Sequence, residues 1–248
     1  MSWKLLIDLH KSNNRQGPGS EEQTKMAITL SGLSAASETL QVADIGCGTG
    51  ASTLVLAENL NAKIIAVDLF PEFLSVLTTN AEKQKLSKKI RTLPCSMDDL
   101  PFEEESLDAI WTEGAVYNMG FKKGVAYFKR FLKPGGILAA SEITWLTQSR
   151  PDEIRSYWDK EYPQIATAAD KIRVLEEEGF ILKGYFPLPE SCWIDNYYDP
   201  LRSGFDAFLG RHDTEETRSL IDREANEIAL YEKYRDYYSY GFYIARKA

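Results

Sequence analysis

VADIGCGTG, Val42–Gly50, decides the fold of this chain, because it is an apolar run that leads into three alternate glycines. The helical pattern Ala51–Leu60 follows at once, so the segment is typical of a strand, a tight loop and a helix in succession. Glycines in the loop permit positive φ and a close approach of the backbone to a ligand, while the helix N-terminus presents free N–H groups. The segment therefore predicts a binding site for an anionic or carboxylate-bearing cofactor.

An acidic residue closes the next apolar run. Asp68 lies near the end of the predicted strand Lys63–Leu69 and comes 22 residues after Gly46. At this position a carboxylate can accept hydrogen bonds from both hydroxyl groups of a ribose, which predicts a nucleoside-containing cofactor. The spacing also satisfies the dinucleotide pattern G-x-G-x-x-A, so a nicotinamide-dependent oxidoreductase stays open. Asp44 before the first glycine and Gly50 as a third alternate glycine favour a cofactor other than a dinucleotide.

Strand and helix patterns alternate along the chain, which predicts an α/β fold with a doubly wound, Rossmann-like and mostly parallel sheet. Ligands of such sheets bind beyond the carboxyl ends of the strands. The predicted strands are Gln41–Ile45, Lys63–Leu69, Ile90–Pro94, Leu107–Glu113, Ile137–Ile143, Phe180–Phe186 and Tyr240–Ala245. The predicted helices are Gln23–Leu33, Ala51–Leu60, Pro71–Leu86, Lys123–Leu132, Pro151–Tyr162, Ala168–Glu178, Gly204–Arg211 and Glu215–Arg235.

Composition narrows the classes of function. The chain has 248 residues, 29 Lys and Arg against 37 Asp and Glu, and 44% apolar residues, which suits a globular protein with no bulk attraction for nucleic acid or anionic lipid. Its apolar runs are too short to span a membrane and its N-terminus does not read as a secretory signal, so we expect a cytoplasmic protein. Three widely spaced cysteines fit neither a disulfide framework nor a zinc site, and we expect no bound metal.

The organisation fits one domain over residues 1–248. We expect a lid and a first helix at 1–35, a cofactor-binding core at 41–145, a substrate cap with a late strand at 146–239 and a terminal strand at 240–248. The charged helix Glu215–Arg235 carries no motif, so it is predicted to cover the sheet or to form a homodimer contact.

Four motifs in order resemble the class I S-adenosylmethionine-dependent methyltransferases, with a methyltransferase type 11-like core similar to the ubiquinone and menaquinone C-methyltransferases. They are Asp44–Gly50, Asp68, Ser96–Phe102 and Leu132–Gly136. The resemblance implies seven strands with the last one antiparallel, S-adenosylmethionine as cofactor, and methyl transfer to a small molecule, driven mainly by positioning and desolvation. The alternatives are the nicotinamide-dependent oxidoreductase and a non-catalytic S-adenosylmethionine-binding protein.

The resemblance also implies the cofactor contacts. It places the glycine loop along the methionine part, Asp68 on the ribose and the residues after it beside the adenine. The implied residues are Asp44, Gly46, Cys47, Gly48, Gly50, Asp68, Leu69, Ser96, Met97 and Asp98. Ser96 replaces the acidic residue usual in the family, and Asp98 is a possible substitute for it.

The remaining predictions concern the lid and the substrate. Arg15 and Gln16 lie in a flexible segment where such enzymes carry a lid, and they are its expected cofactor contacts. Glu113 and Tyr117, at the end of the fourth strand, are the candidate catalytic residues. His10 and His212 lie outside the motifs, which disfavours a histidine base.

Aromatic and polar residues after the fourth strand are the candidate substrate contacts. They are Asn118, Glu142, Trp145, Trp193 and Tyr197. Aromatic faces with carboxylates such as Glu142 and Asp199 suit a cationic amine, whereas aromatic rings alone suit a phenol or a quinone. The sequence leaves this choice open.

Overall fold

A mixed sheet of eight strands forms the centre of the computed structural model, which describes residues 3–248. The strands are β1 Leu40–Ile45, β2 Ala62–Asp68, β3 Ile90–Pro94, β4 Leu107–Glu113, β5 Leu132–Trp145, β6 Ala166–Thr167, β7 Phe180–Pro187 and β8 Tyr238–Lys247. Their order is β3-β2-β1-β4-β5-β8-β7, and the short β6 pairs with β5 off this path. The order reverses between β1 and β4, where the carboxyl ends of parallel strands leave a crevice for a ligand.

Strand direction confirms the predicted sheet. The strands β1 to β5 pair with one another in parallel, and β8 runs antiparallel to both β5 and β7. The last strand is therefore antiparallel, as the resemblance implies. The addition is β6, whose two residues pair with Thr144 and Trp145; an element of this length has no periodicity that a sequence pattern could reveal.

Helices pack on both faces of the sheet. The helices are α1 Trp3–His10, α2 Glu21–Ser31, α3 Ala51–Asn59, α4 Pro71–Lys83, α5 Phe121–Lys129, α6 Asp152–Glu161, α7 Ala168–Glu177, α8 Glu190–Trp193, α9 Asp199–Ser203, α10 Phe205–Arg211 and α11 Glu215–Tyr234. Alternate residues of β1 belong to different cores. Val42 packs with Leu56 of α3, while Ala43 packs with Phe128 of α5, because successive strand side chains point to opposite faces.

Local sequence signals set the ends of several helices. The hydroxyl of Ser20 accepts a hydrogen bond from the N–H of Gln23 at the start of α2, and Gly32 ends that helix with φ +78°. Thr214 accepts from the N–H of Thr217 in the same way at the start of α11. These are the N-cap residues and the C-terminal glycine that helices prefer.

Three segments differ from the sequence prediction. The helix α1 was not predicted, because its eight residues are too few for a clear period. The predicted helix Lys123–Leu132 ends earlier, at Lys129, and Leu132 already pairs with Leu107 at the start of β5. The following Lys-Pro-Gly-Gly run interrupts this ladder, and pairing resumes between Ala109 and Ile137. A π-helical segment, Ile194–Tyr198, joins α8 to α9.

The cap consists of α6 and the elements from α8 to α11, and aromatic side chains attach it to the sheet. Trp193 stacks on Tyr231 with ring centroids 4.4 Å apart, and its Nε1 donates to the hydroxyl of Ser239 in β8 at 2.9 Å. Tyr238, also in β8, is fully buried against these rings. Across the described residues, no helix combines the length and the apolar character needed to span a membrane.

Candidate active site

The glycine loop between β1 and α3 folds back on the end of β2. The N–H groups of Gly46 and Cys47 both donate to the carbonyl of Val67, at 2.8 and 3.0 Å. Gly46, Gly48 and Gly50 all have positive φ, which L side chains rarely adopt. A Cβ atom on Gly48 would also lie 2.3 Å from Oε1 of Gln16. The loop therefore favours glycine at this position through its positive φ, and a Cβ there would displace the end of the Gln16 side chain.

Asp68 connects the loop to the next helix. Its Oδ2 accepts the N–H of Gly48 and its Oδ1 accepts the N–H of Phe70, each at 2.9 Å. Burial raises the pKa of this carboxyl, and the backbone donors oppose that rise. Each oxygen keeps acceptor capacity, because a carboxylate offers about four lone-pair sites. The position expected to hold a ribose is therefore both rigid and able to accept further hydrogen bonds.

Asp44 is a buried residue of β1 and lies two positions before Gly46, the first glycine of the loop. Its Oδ2 accepts hydrogen bonds from the hydroxyls of Ser52 at 2.8 Å and Thr53 at 2.6 Å. Its Oδ1 is buried and has no hydrogen-bond partner among residues 3–248. Burial raises the pKa of Asp44 to about 7, although the two hydroxyl donors oppose the rise.

Glu113, a predicted catalytic residue, is tied to the lid. Its Oε2 pairs with Arg15 at 2.9 Å, and the side chains of this pair are 8% and 11% exposed, respectively. Its Oε1 accepts from the Thr24 hydroxyl at 2.7 Å and from Nε1 of Trp111 at 2.9 Å. Both oxygens are therefore engaged, and the arrangement shows Glu113 holding the lid and α2 against β4.

The lid segment covers the glycine loop. Oε1 of Gln16 accepts the N–H of Thr49 at 2.8 Å, and Nε2 of Gln16 donates to the carbonyls of His10 and Asn13. A small cavity of about 70 Å³ lies between lid and loop. It brings together several predicted residues, namely Arg15, Gln16, Gly46, Cys47, Gly48 and Glu113.

The predicted adenine contacts are Leu69, Ser96, Met97 and Asp98, and their surroundings differ. Met97 is near the glycine turn, since a Cβ on Gly46 would lie 3.5 Å from its Cε. The side chain of Ser96 bonds to Asp98, and this bond lowers the pKa of Asp98. Leu69 is 55% exposed. The structure thus brings Met97 to the loop, while Ser96 and Asp98 bond to each other in solvent.

A larger cavity of about 350 Å³ extends from the end of β2 into the cap. Four predicted residues line it: Gln16, Tyr117, Trp193 and Tyr197. The wall also includes His10, Phe70, Phe73, Tyr157, Trp158, Glu161, Tyr162, Glu224, Glu227 and Tyr240. One continuous space therefore joins the neighbourhood of Asp68 to the aromatic cap.

Three predicted substrate residues lie outside the walls of this cavity. Glu142 is fully buried and pairs with Lys171 at 3.3 Å; burial raises the pKa of Glu142 and lowers that of Lys171, while their attraction opposes both shifts. Trp145 is covered by the guanidinium of Arg150, 4.3 Å from the ring centroid. The side chain of Asn118 donates to the carbonyl of Ala115. Each of the three has a partner within the protein.

Tyr117 and His10 are polar residues on the wall of the larger cavity whose side chains can donate or accept a hydrogen bond. The ring of Tyr117 meets Tyr162 edge-on, with centroids 6.1 Å apart. Withdrawal from water raises the pKa of Tyr117, and the Glu227 carboxylate adds to the rise. His10 is 6% exposed and stacks on Tyr197, and no residue that the structure describes forms a hydrogen bond with its Nδ1. Burial lowers the pKa of His10 to about 4, so at neutral pH the phenol is protonated and the imidazole neutral.

Sequence reasoning missed His10, Glu224 and Glu227 as residues of the site. His10 lies in the unpredicted α1, and the two glutamates lie on a helix that was assigned to covering the sheet or to dimerisation. The available signal was the spacing of Glu224 and Glu227, which puts both on one face of a helix. Nothing in the sequence shows which structure that face meets.

Comparisons with known proteins agree with the fold and the loop. Residues 43–140 match the family model described as a methyltransferase domain. The chain is 30% identical over 136 residues to erythromycin 3''-O-methyltransferase of Saccharopolyspora erythraea, which covers 53% of this chain and 44% of that protein. It is 30% identical over 122 residues to demethylmenaquinone methyltransferase of Tropheryma whipplei, covering 48% and 47%. The alignments thus span about half the length of these relatives.

Solved structures extend the likeness to the whole fold. An S-adenosylmethionine-dependent methyltransferase from Geobacter sulfurreducens, in complex with S-adenosyl-L-homocysteine, superposes with a TM-score of 0.85 at 15% identity, covering 99% of this chain and 98% of that one. The [4+2]-cyclase SpnF superposes with a TM-score of 0.76 at 19% identity, covering 99% and 93%. The chain therefore shares the Rossmann-like fold of these solved structures. Residues 43–140 match a methyltransferase domain, as the resemblance of the motifs predicts.

Proposed function

We propose that this protein is an S-adenosylmethionine-dependent methyltransferase that acts on a small molecule. The observation that carries the proposal is the cavity of about 350 Å³ that joins Phe70, next to Asp68, to the cap. A methyltransferase needs its cofactor and its acceptor in one enclosed space, since methyl transfer requires an in-line approach. Cavities of this size hold small molecules.

The residues present fit the cofactor. Gly48 presents a backbone surface where a Cβ atom has no room, and Asp68 has acceptor sites left for two ribose hydroxyls. The buried Oδ1 of Asp44, which has no partner within the described part of the chain, is an acceptor for a donor at the loop. When bound, S-adenosylmethionine supplies a methyl group on a sulfonium sulfur. The acceptor's lone pair would bond to the methyl carbon as the carbon–sulfur bond breaks, so that the sulfur leaves as a neutral thioether and the acceptor loses a proton.

The protein's own contribution is positioning and exclusion of water. The lid closes over the loop through Gln16 and Thr49, and the pair of Arg15 with Glu113 fixes it to the sheet. Tyr117 is protonated at neutral pH, as phenols ordinarily are, and its raised pKa opposes ionisation further, which suits it to donate a hydrogen bond to an acceptor rather than to remove a proton. Such a site accelerates transfer by orientation and desolvation.

A titration of the purified protein with S-adenosylmethionine, S-adenosylhomocysteine, NAD and NADP tests the cofactor, with the melting temperature as readout. We expect a rise that grows with the concentration of the two adenosyl sulfur compounds only. A rise with a nicotinamide cofactor alone would overturn the proposal in favour of an oxidoreductase. Binding without formation of S-adenosylhomocysteine, with amines, phenols and quinones all tried as acceptors, would favour a non-catalytic binding protein.

A further inference from the structure

The cap end of the 350 Å³ cavity carries negative charge. Glu161 of α6 and Glu224 and Glu227 of α11 all line it. Of the described residues on its wall, none is a lysine or an arginine. Lys160 lies 3.7 Å from Glu161, with its side chain 84% exposed, so it neutralises the rim rather than the interior.

Glu227 is held in place by a buried tyrosine. The hydroxyl of Tyr198, a residue with no exposed surface, donates to Oε1 of Glu227 at 2.9 Å. Glu224 lies three residues earlier, on the same face of the helix. Burial raises the pKa of Glu224 to about 7, the Glu227 carboxylate adds to the rise, and Arg223 opposes it. A positive ligand at this place would relieve the repulsion between the two carboxylates.

Aromatic rings form the rest of this chamber. Trp158, Trp193, Tyr157 and Tyr197 line the same cavity as the carboxylates. One face of Trp193 is covered by Tyr231, with which it stacks at 4.4 Å, so its position is set by the core. Aromatic faces attract cations electrostatically, most strongly where water is excluded.

A second observation points to a ligand in the same cavity. His10 lines the wall and is 6% exposed, yet its Nδ1 has no hydrogen-bond partner among the described residues. A buried polar atom without a partner costs free energy unless a ligand or a water molecule meets it. The chamber thus combines charge, aromatic faces and an unpaired imidazole nitrogen.

We propose that this chamber, lined by Glu224, Glu227, Trp158, Trp193 and Tyr197, binds the ammonium group of a cationic amine, which makes an amine the class of methyl acceptor. The ammonium gives its proton to a glutamate carboxylate of the chamber; the freed nitrogen lone pair then bonds to the methyl carbon as the carbon–sulfur bond breaks and the neutral thioether leaves. The assignment of the acceptor rests on the proposed methyltransferase function, but the binding of an ammonium group does not. Carboxylate and phosphate acceptors are disfavoured, because they would enter a cavity whose charged side chains are all acidic.

The test compares choline with its neutral isostere 3,3-dimethylbutan-1-ol, in which carbon replaces the ammonium nitrogen. Calorimetry and tryptophan fluorescence would measure the binding of each to the full chain, with and without S-adenosylhomocysteine. We expect choline to bind at least about tenfold more tightly, since its positive charge is attracted by the carboxylates and the aromatic faces whereas the isostere is neutral. Equal affinity for the two compounds would overturn the proposal.

Three variants locate the site. Glu227→Gln keeps an acceptor for the Tyr198 hydroxyl but removes the charge, and it should weaken choline binding about tenfold without changing the binding of the isostere. Glu224→Gln serves the same purpose if the first variant fails to fold. Asp222→Asn removes one charge from an exposed position of the same helix and should leave choline binding unchanged; an effect equal to that of Glu227→Gln would contradict a local site.

The two proposals fail in different ways. If S-adenosylmethionine does not bind, the methyltransferase function fails while the choline measurement still stands. If S-adenosylmethionine binds and choline shows no preference over its isostere, the chamber assignment fails alone.

Discussion

At the scale of single residues, two buried aspartates near the ends of neighbouring strands differ in their hydrogen-bond donors. Asp68 has backbone donors on both oxygens, and Asp44 has two hydroxyl donors on one oxygen and, among the residues described, none on the other. The sequence predicted both positions, because a strand, a glycine loop and an acidic residue at fixed spacing form a local pattern. It could not predict Glu224 and Glu227, since their role depends on which surface their helix faces.

Asp68→Ala tests the cofactor site directly. We expect it to weaken S-adenosylmethionine binding by about 1 to 3 kcal/mol, the typical loss when a charged acceptor is removed. Asp68→Asn, which keeps one acceptor oxygen, should lose less. Calorimetry would measure both affinities, and circular dichroism would verify folding. Unchanged affinity in a folded Asp68→Ala protein would show that Asp68 does not bind the ribose.

Asp44 should make stability depend on pH. Its folded pKa of about 7 lies above the ordinary value of 3.8, so between these values the native state binds more protons than the unfolded state. Stability from this group is therefore complete below about pH 4 and is lost as the pH rises to 7, by roughly 4 kcal/mol.

Urea unfolding of the wild type and of Asp44→Asn, measured from pH 4 to pH 8, isolates this effect. The stability of the wild type relative to the variant should fall across that range, because other titrating groups, such as His10, contribute equally to both proteins. Parallel stability curves for the two proteins would show that Asp44 has an ordinary pKa.

At the scale of elements, the lid and α2 are joined to β4 by one side chain. Glu113 accepts from Arg15, Thr24 and Trp111, so a residue that the sequence assigned to chemistry is placed to hold segments together. The sequence placed Glu113 at the right edge of the sheet because the end of β4 is a local signal. Its partners come from elements remote in sequence, and no pattern in a single chain indicates such pairings.

A double-mutant cycle on Arg15→Ala and Glu113→Gln measures this connection. Because the pair is nearly buried, we expect a coupling free energy of about 1 to 3 kcal/mol in urea unfolding. The exposed pair Lys122 and Glu177, at 3.3 Å, is the matched control and should couple by less than about 0.5 kcal/mol. Equal coupling in the two cycles would mean that the lid is not fixed by this contact.

At the scale of the whole molecule, the larger part of the cap, α8 to α11, is inserted between two strands of the sheet. The chain leaves β7, passes through α8 to α11, and returns as β8, which pairs with β5 from Ile137 to Trp145. One hydrophobic cluster contains Leu9 of α1, Ala139 of β5 and Tyr231 of α11. The alternation of strands and helices was predictable because each strand and each helix buries an apolar face, which leaves a regular spacing of apolar residues in the sequence. The aromatic attachment of the cap was not, since it forms between segments with no regular spacing.

This connectivity predicts that cap and core unfold together. Hydrogen exchange in α11 and in β1 should report the same free energy of unfolding, because loss of the cap also exposes Trp193, Tyr231 and Tyr238 and removes the support of β8. S-adenosylhomocysteine at 100 times its Kd should raise both values equally, by about 2.7 kcal/mol. If α11 instead exchanges through a separate opening of lower free energy that the ligand does not change, the cap is an independent unit. The part of the cavity wall that the cap contributes would then form only when a ligand binds.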